Sequence, residues 1–269
     1  MRARTADRAF PAALGVPAAL GVALLVLPLV ALLARVEWST ILVDLAAPQA
    51  LDALRLSLVT ALAATALCVL LGVPLGLVIA RSSPRVAAAL RITVAVPLVL
   101  PPMVGGVALL YLLGRRGLIG GPLFEAWGVQ LPFTTPAVIL AQTFVALPFL
   151  VLTFEAAVRA IGTDVERTAE TLGAGRWRVL WHVTLPLAAP GLVAGIALCF
   201  ARAIGEFGAT ALFAGNAPGV TQTMPLAIYA AFNGSGVGRE QGLALALMLL
   251  VAAIAVLVFV RGWRPGATR

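Results

Sequence analysis

Ala9 to Ala34 of this chain contains no charged residue, and the same pattern returns at Leu56 to Ala80, Ile92 to Gly114 and Gly242 to Val260. A run of about 20 apolar residues is what an α-helix needs to cross the hydrocarbon of a bilayer, and a soluble core has no room for several of them. Two further apolar stretches, 136–158 and 187–214, carry only Glu155 and the pair Arg202 and Glu206. The chain therefore reads as all-α, a single polytopic membrane domain of about six transmembrane helices at roughly 10–34, 56–80, 92–114, 136–158, 187–214 and 242–260. Composition agrees, with 61% hydrophobic residues, 11% charged residues and a mean hydropathy of +1.04. The first run exceeds the roughly 7–15 apolar residues of a signal peptide, so it is expected to stay as a span, bent or delimited by Pro11, Pro17 and Pro28.

The basic residues, 19 in all, are arginines without exception. A phosphate-binding Walker A loop needs a lysine, so this chain is not itself a nucleotide hydrolase. Most of the arginines fall in the N-terminal segment, the 81–91 connection, the 159–186 loop and the C-terminal segment, while the alternate loops hold Arg35, Arg55, Arg115, Arg116 and Arg239. That asymmetry predicts a cell (inner) membrane protein with both termini and the 159–186 loop in the cytoplasm. It also accounts for the net charge of +8 without a nucleic-acid partner. Cys68, Cys199 and the single His182 have no metal-ligand spacing, and the two cysteines read as small buried hydrophobes. No nucleophile and base stand together in the apolar runs, so neither an enzyme nor a bound cofactor is expected.

The 159–186 loop is the most polar part of the chain, with Arg159, Asp164, Glu166, Arg167, Glu170, Arg176, Arg178 and His182. Thr163 and Glu166 have capping-box spacing, and Gly173 stands where a helix of about two turns needs a left-handed stop. Val165, Ala169 and Leu172 form one apolar stripe, with Arg167, Glu170 and Thr171 elsewhere around the cylinder. So short a helix needs a surface to dock on. Either it seats against another protein or, with Trp177 and Trp181, it lies on the membrane. Glu155 and Arg159, one turn apart in the favourable order, read as a structural pair.

Glu166, Gly173 and then, after nine residues, Val183-Thr184-Leu185-Pro186 resemble the E-A-A loop of ABC importer permeases. Arg167 and Thr168 stand where that pattern has two alanines. In that family the loop is a coupling helix that seats in a separate ATPase subunit. The resemblance thus implies that Thr163, Asp164, Glu166, Arg167, Ala169, Glu170, Leu172 and Gly173 form the ATPase-coupling segment.

One break is foreseen inside the apolar runs, and one charged turn. Pro97 to Gly106, P-L-V-L-P-P-M-V-G-G, removes helical donors and admits close backbone approach, which marks either a cavity-lining break or a packing kink. The fifth run holds Phe200 to Thr210, F-A-R-A-I-G-E-F-G-A-T, in which Arg202 and Glu206 share one helix face and neutralise each other. Each alone at mid-membrane costs about 2.5–3.5 kcal/mol or more. The pair either pins packing at a dimer contact or gate, or lines a translocation path with Gly205, Gly208 and Thr210. Met224 to Phe232 is too short to cross and reads as a re-entrant or interfacial turn on the outer side.

Phe200 to Asn216 together with Thr221 to Tyr229 is similar to the permease subunits of molybdate and tungstate importers, and less so to those for sulfate and thiosulfate. What this implies is a type I ABC importer: a permease homodimer, two cytoplasmic ATPases that hold ATP and Mg, and a periplasmic or lipid-tethered oxyanion-binding protein. The alternatives are a sulfate/thiosulfate importer permease and an uncoupled membrane channel.

Overall fold

The structure, a computed structural model, describes residues 14–235 and 238–262, and among these every regular element is a helix. The arginines at positions 2, 4, 8, 264 and 269, and Pro11, lie outside the described residues. Helix α1 (Gly15–Arg35) is followed by the short α2 (Ile41–Ala46) and by α3 (Pro48–Arg81). The apolar run that predicted a span over 56–80 is only the later part of α3, which begins at Pro48, where a missing N–H costs nothing in a first turn. Asp52 and Arg55 consequently lie on the helix and not in a loop.

The third span is broken in the middle. Helices α4 (Pro84–Val99) and α5 (Pro102–Leu113) meet at 111°. The cause is local: Leu100 precedes a proline and takes an extended backbone, and Pro101 and Pro102 have no N–H to continue the ladder. Counting this bent pair as one, six segments among the described residues are long and apolar enough to cross a membrane. After α6 (Gly120–Trp127) comes α7 (Thr135–Ile161), whose start is capped by Thr134.

Helix α7 is the axis of the bundle. Val138, Ala141, Val145, Leu150, Phe154 and Val158 are all buried along it, facing α3 and α4 and the later helices. Small residues let the backbones close up. A methyl at Gly72 or Gly76 of α3 would run into Leu150 or Phe154 of α7 at 2.9 Å. This is packing by shape, the means of association left to helices already surrounded by lipid.

The polar loop contains α8 (Asp164–Thr171) and α9 (Arg176–Val179), then a π-helical turn at Leu180–Thr184 that runs straight into α10 (Leu185–Ile204). The apolar run placed the start of this span at about 187, but the helical run starts earlier, at Arg176. Proline is accommodated because the wide turn ahead of it already departs from the α ladder: the Leu185 N–H reaches back to Leu180 O. Beyond α10 the fifth span breaks again, and a short α11 (Gly208–Phe213) follows. Helix α12 (Met224–Phe232), the expected short segment, packs against α3 and α13 (Arg239–Gly262). Cys68 and Cys199 are free, fully buried and in one apolar cluster with Ala64, Leu150 and Ala203, as small hydrophobes.

Candidate functional site

The residues singled out by the sequence gather at the two ends of α10, about 30 Å apart at 1.5 Å of rise per residue. At the first end stands α8. Its stop is as expected. Gly173 has φ +88°, its N–H bonds Glu170 O at 2.9 Å, and the Ala174 N–H bonds Ala169 O at 3.0 Å, closing a Schellman motif on carbonyls that would otherwise lack donors.

Its start is not as expected. The Thr163 hydroxyl makes no capping bond, and Glu166 does not fold back toward it. Instead Glu166 Oε1 accepts from Arg81 Nη2 at 2.5 Å and from Thr184 Oγ1 at 2.6 Å. A charge-assisted bond to a guanidinium is stronger than one to an exposed backbone N–H, so the tertiary tie displaces the local cap. Glu166 therefore fastens α8 both to the end of α3 and to the π-turn. Arg81 also donates to Gly162 O at 3.5 Å.

The rest of α8 is bare. Val165 is exposed, Leu172 is 84% exposed, Ala169 is half-covered, and no residue of the helix is buried. Thr163, Asp164, Arg167 and Glu170 are exposed, and the one pair among them, Arg167 with Asp164, is loose at 4.0 Å. The apolar stripe is thus present and uncovered by this chain.

Beside α8, Glu155 is buried near the end of α7. Its expected partner Arg159 approaches only to 3.6 Å. The main partner is Arg91 of α4, which donates through Nε at 3.1 Å and Nη2 at 2.8 Å. The sequence did carry a signal for this: one acid at the edge of a span, and one arginine directly before the neighbouring apolar run.

At the other end of α10, Arg202 Nη1 lies 2.6 Å from Glu206 Oε2. The pair was expected on one continuous helix, but the helix ends at Ile204 and Glu206 sits in the break. From there its Oε1 accepts the Ala209 N–H at 2.8 Å, so the carboxylate neutralises Arg202 and caps α11 at once. The ion pair would form on an unbroken helix as well, whereas the cap needs the break. Glu206 is buried at 1% exposure, whereas the Arg202 side chain keeps 25%.

The two broken spans face each other across this point. Pro101, Pro102 and Met103 line a cavity of about 440 Å³ with Arg202, Gly205 and Gly208. The approach is close, since a methyl at Gly208 would lie 2.9 Å from Pro102 Cβ and one at Gly106 would lie 2.8 Å from Ala209 O. Thr210 is the exception among the expected residues. It is fully buried, its hydroxyl has no partner among the described residues, and it does not line the cavity. Sequence reasoning missed Gln142, whose buried carboxamide is likewise unpaired. A lone amide in an apolar run was the available signal.

Residues 72–265 match the protein family described as binding-protein-dependent transport system inner membrane component. The chain is 50% identical over 252 residues, 94% of each chain, to the molybdenum transport system permease protein ModB of Mycobacterium tuberculosis. It is 39% identical over 173 residues, 64% of this chain and 75% of the other, to the protein of the same name from Escherichia coli strain K12. A sulfate transport system permease protein, CysW of Synechococcus elongatus, is 36% identical over 182 residues, 68% of this chain and 63% of that one. Among solved structures, a bacterial alginate ABC transporter in complex with an alginate pentasaccharide-bound periplasmic protein superposes with a TM-score of 0.71 at 17% identity, covering 96% of this chain and 94% of that chain. The inward-facing MetNI methionine ABC transporter gives 0.61 at 17% identity, over 79% of this chain and 95% of that one. At such identities these two likenesses concern the fold alone.

Proposed function

Because this chain belongs to the family of binding-protein-dependent transport system inner membrane components, we infer that it is the membrane-spanning permease subunit of an ATP-driven importer whose cargo is molybdate. The observation that carries the cargo is the 50% identity to a molybdenum permease over 94% of both chains. Tungstate, a tetrahedral dianion of the same charge and nearly the same size, belongs to the same reading. One observation favours sulfate instead, the 36% identity to a sulfate permease.

In this mechanism the chain hydrolyses nothing. ATP and Mg are held by separate cytoplasmic ATPase subunits, and α8 is the piece that seats on them. Val165 and Leu172 supply the apolar contact, Thr163, Asp164, Arg167 and Glu170 the polar rim, and Ala169 the close approach, while Gly173 holds the end of the helix. When the ATPases close and push α8, the Glu166 carboxylate carries the displacement to α3 through Arg81 and to α10 through Thr184. At the other end of α10, the two facing breaks form the gate. Arg202 offers a cationic edge, and Glu206 moderates it, so that an arriving anion is not held too tightly to leave.

An oxyanion-binding protein, periplasmic or lipid-tethered, delivers the cargo to a permease homodimer whose termini and α8 face the cytoplasm. The uncovered apolar stripe of α8 supports this over an uncoupled channel, which has no use for a docking helix.

The test is uptake of labelled molybdate into vesicles holding the reconstituted importer and its binding protein. Excess tungstate should abolish uptake and excess sulfate should leave most of it. If sulfate competes best, the cargo is sulfate; if uptake proceeds without ATP, the chain is a channel.

A further inference from the structure

We propose that the cleft where α3 ends, α4 begins and α7 meets α8 is a binding site for a phosphate group, separate from the transport path and going beyond the importer assignment. The cleft has a volume of about 380 Å³, and three guanidinium groups line it: Arg81, Arg91 and Arg159. Among the described residues only two carboxylates reach these arginines, Glu155 and Glu166, and neither lines the cleft. One positive charge is therefore left over.

Donors are left over as well. Arg91 uses Nε and Nη2 on Glu155, and Arg81 uses Nη2 on Glu166 and Gly162 O. Arg159 has only its 3.6 Å approach to Glu155 and is half-exposed. The remaining N–H groups of these forks have no acceptor among the described residues. The Thr163 hydroxyl, also on the lining, is unbonded at the uncapped start of α8, whose dipole adds to the positive potential. Planar forks converging from three helices suit a tetrahedral oxyanion, which accepts several such bonds at once.

A phosphate there arrives either on the headgroup of an anionic lipid or as a free ion. The cleft lies where three helices leave their apolar runs, the level at which basic pockets between spans meet headgroups. Bound phosphate would tie α3, α4 and α7 together at the mount of α8.

The experiment uses the complete importer, permease with its ATPase. Phosphatidylglycerol retained after delipidation is counted by native mass spectrometry, and thermal stability is measured in phosphatidylcholine nanodiscs with phosphatidylglycerol or inorganic phosphate added. The wild type should retain phosphatidylglycerol and gain stability from it. Arg159→Gln should weaken retention about fivefold, the effect of one arginine near a headgroup. Arg159→Lys should keep most of it, and Arg85→Gln, on the same connection but outside the cleft, all of it. Thr163→Val provides a second variant that leaves every ion pair intact, and it should also weaken retention. Stabilisation by millimolar phosphate in neutral lipid, lost in Arg159→Gln, would identify the free ion as the source. If Arg159→Gln and Thr163→Val match the wild type with both probes, there is no phosphate site. None of these readouts depends on which oxyanion is transported.

Discussion

Glu206 and Glu166 are each asked to do two things, of which the sequence announced one for Glu206 and neither for Glu166. The spacing of Arg202 and Glu206 announced an ion pair, but spacing alone does not reveal that the helix stops between them so that the same carboxylate can cap α11. Replacing Arg202 by methionine leaves that buried carboxylate without its cation, at an expected cost of about 3–5 kcal/mol. Thermal unfolding of the purified permease should show a large fall for Arg202→Met, partly relieved in the double variant with Glu206→Gln. Equal stability of Arg202→Met and the wild type would remove the pair from a structural role, and normal coupled uptake by the same variant would remove it from the gate. Glu166 gives the complementary case. Because its carboxylate holds Arg81 and Thr184 and not the start of α8, Thr163→Ala should leave stability unchanged in neutral, phosphate-free lipid, whereas Glu166→Gln should loosen α8 and reduce transport-linked ATP hydrolysis. The reverse ranking, with Thr163→Ala the more damaging, would restore the capping box.

Elements were legible where hydrophobic runs are long, and obscure where a helix extends past its apolar part. The start of α3 at Pro48 and the start of the α9–α10 run at Arg176 both lie in polar sequence, because a helix end that projects from the bilayer has no hydrophobic requirement. Helix α8 was legible at its C-terminal end, since only a positive φ at Gly173 allows the closing pair of hydrogen bonds. Gly173→Val should cost roughly 1–2 kcal/mol, the penalty of a left-handed residue bearing a side chain, and should fray the last turn. Its check is a pull-down of the ATPase with the intact permease. Reduced recovery with normal membrane insertion is expected, and full recovery with normal coupled hydrolysis would show that α8 is not the docking element. The break at Pro101 was visible in sequence; the one at Gly205 was not, nor that the two face one another, because contact between segments so far apart is set by packing and not by local pattern.

For the molecule as a whole, six crossings could be counted from the sequence, whereas sidedness rests on the arginine asymmetry alone. A cysteine placed between Asn216 and Ser235 should react with an impermeant reagent in intact cells, while one at Thr171 should react only after permeabilisation; the opposite pattern would invert the topology. The permease is not a uniform block. Helix α7 is locked to its neighbours by small residues, whereas the path from α8 into α10 passes through the π-turn at Leu180–Thr184. Each of its hydrogen-bonded loops spans one residue more than in an α-helix, so the joint holds spare backbone length. On the proposed mechanism, a push on α8 meets a compressible coupling before it meets a stiff rod, and the stroke of the motor and the opening of the gate need not be equal in length or simultaneous.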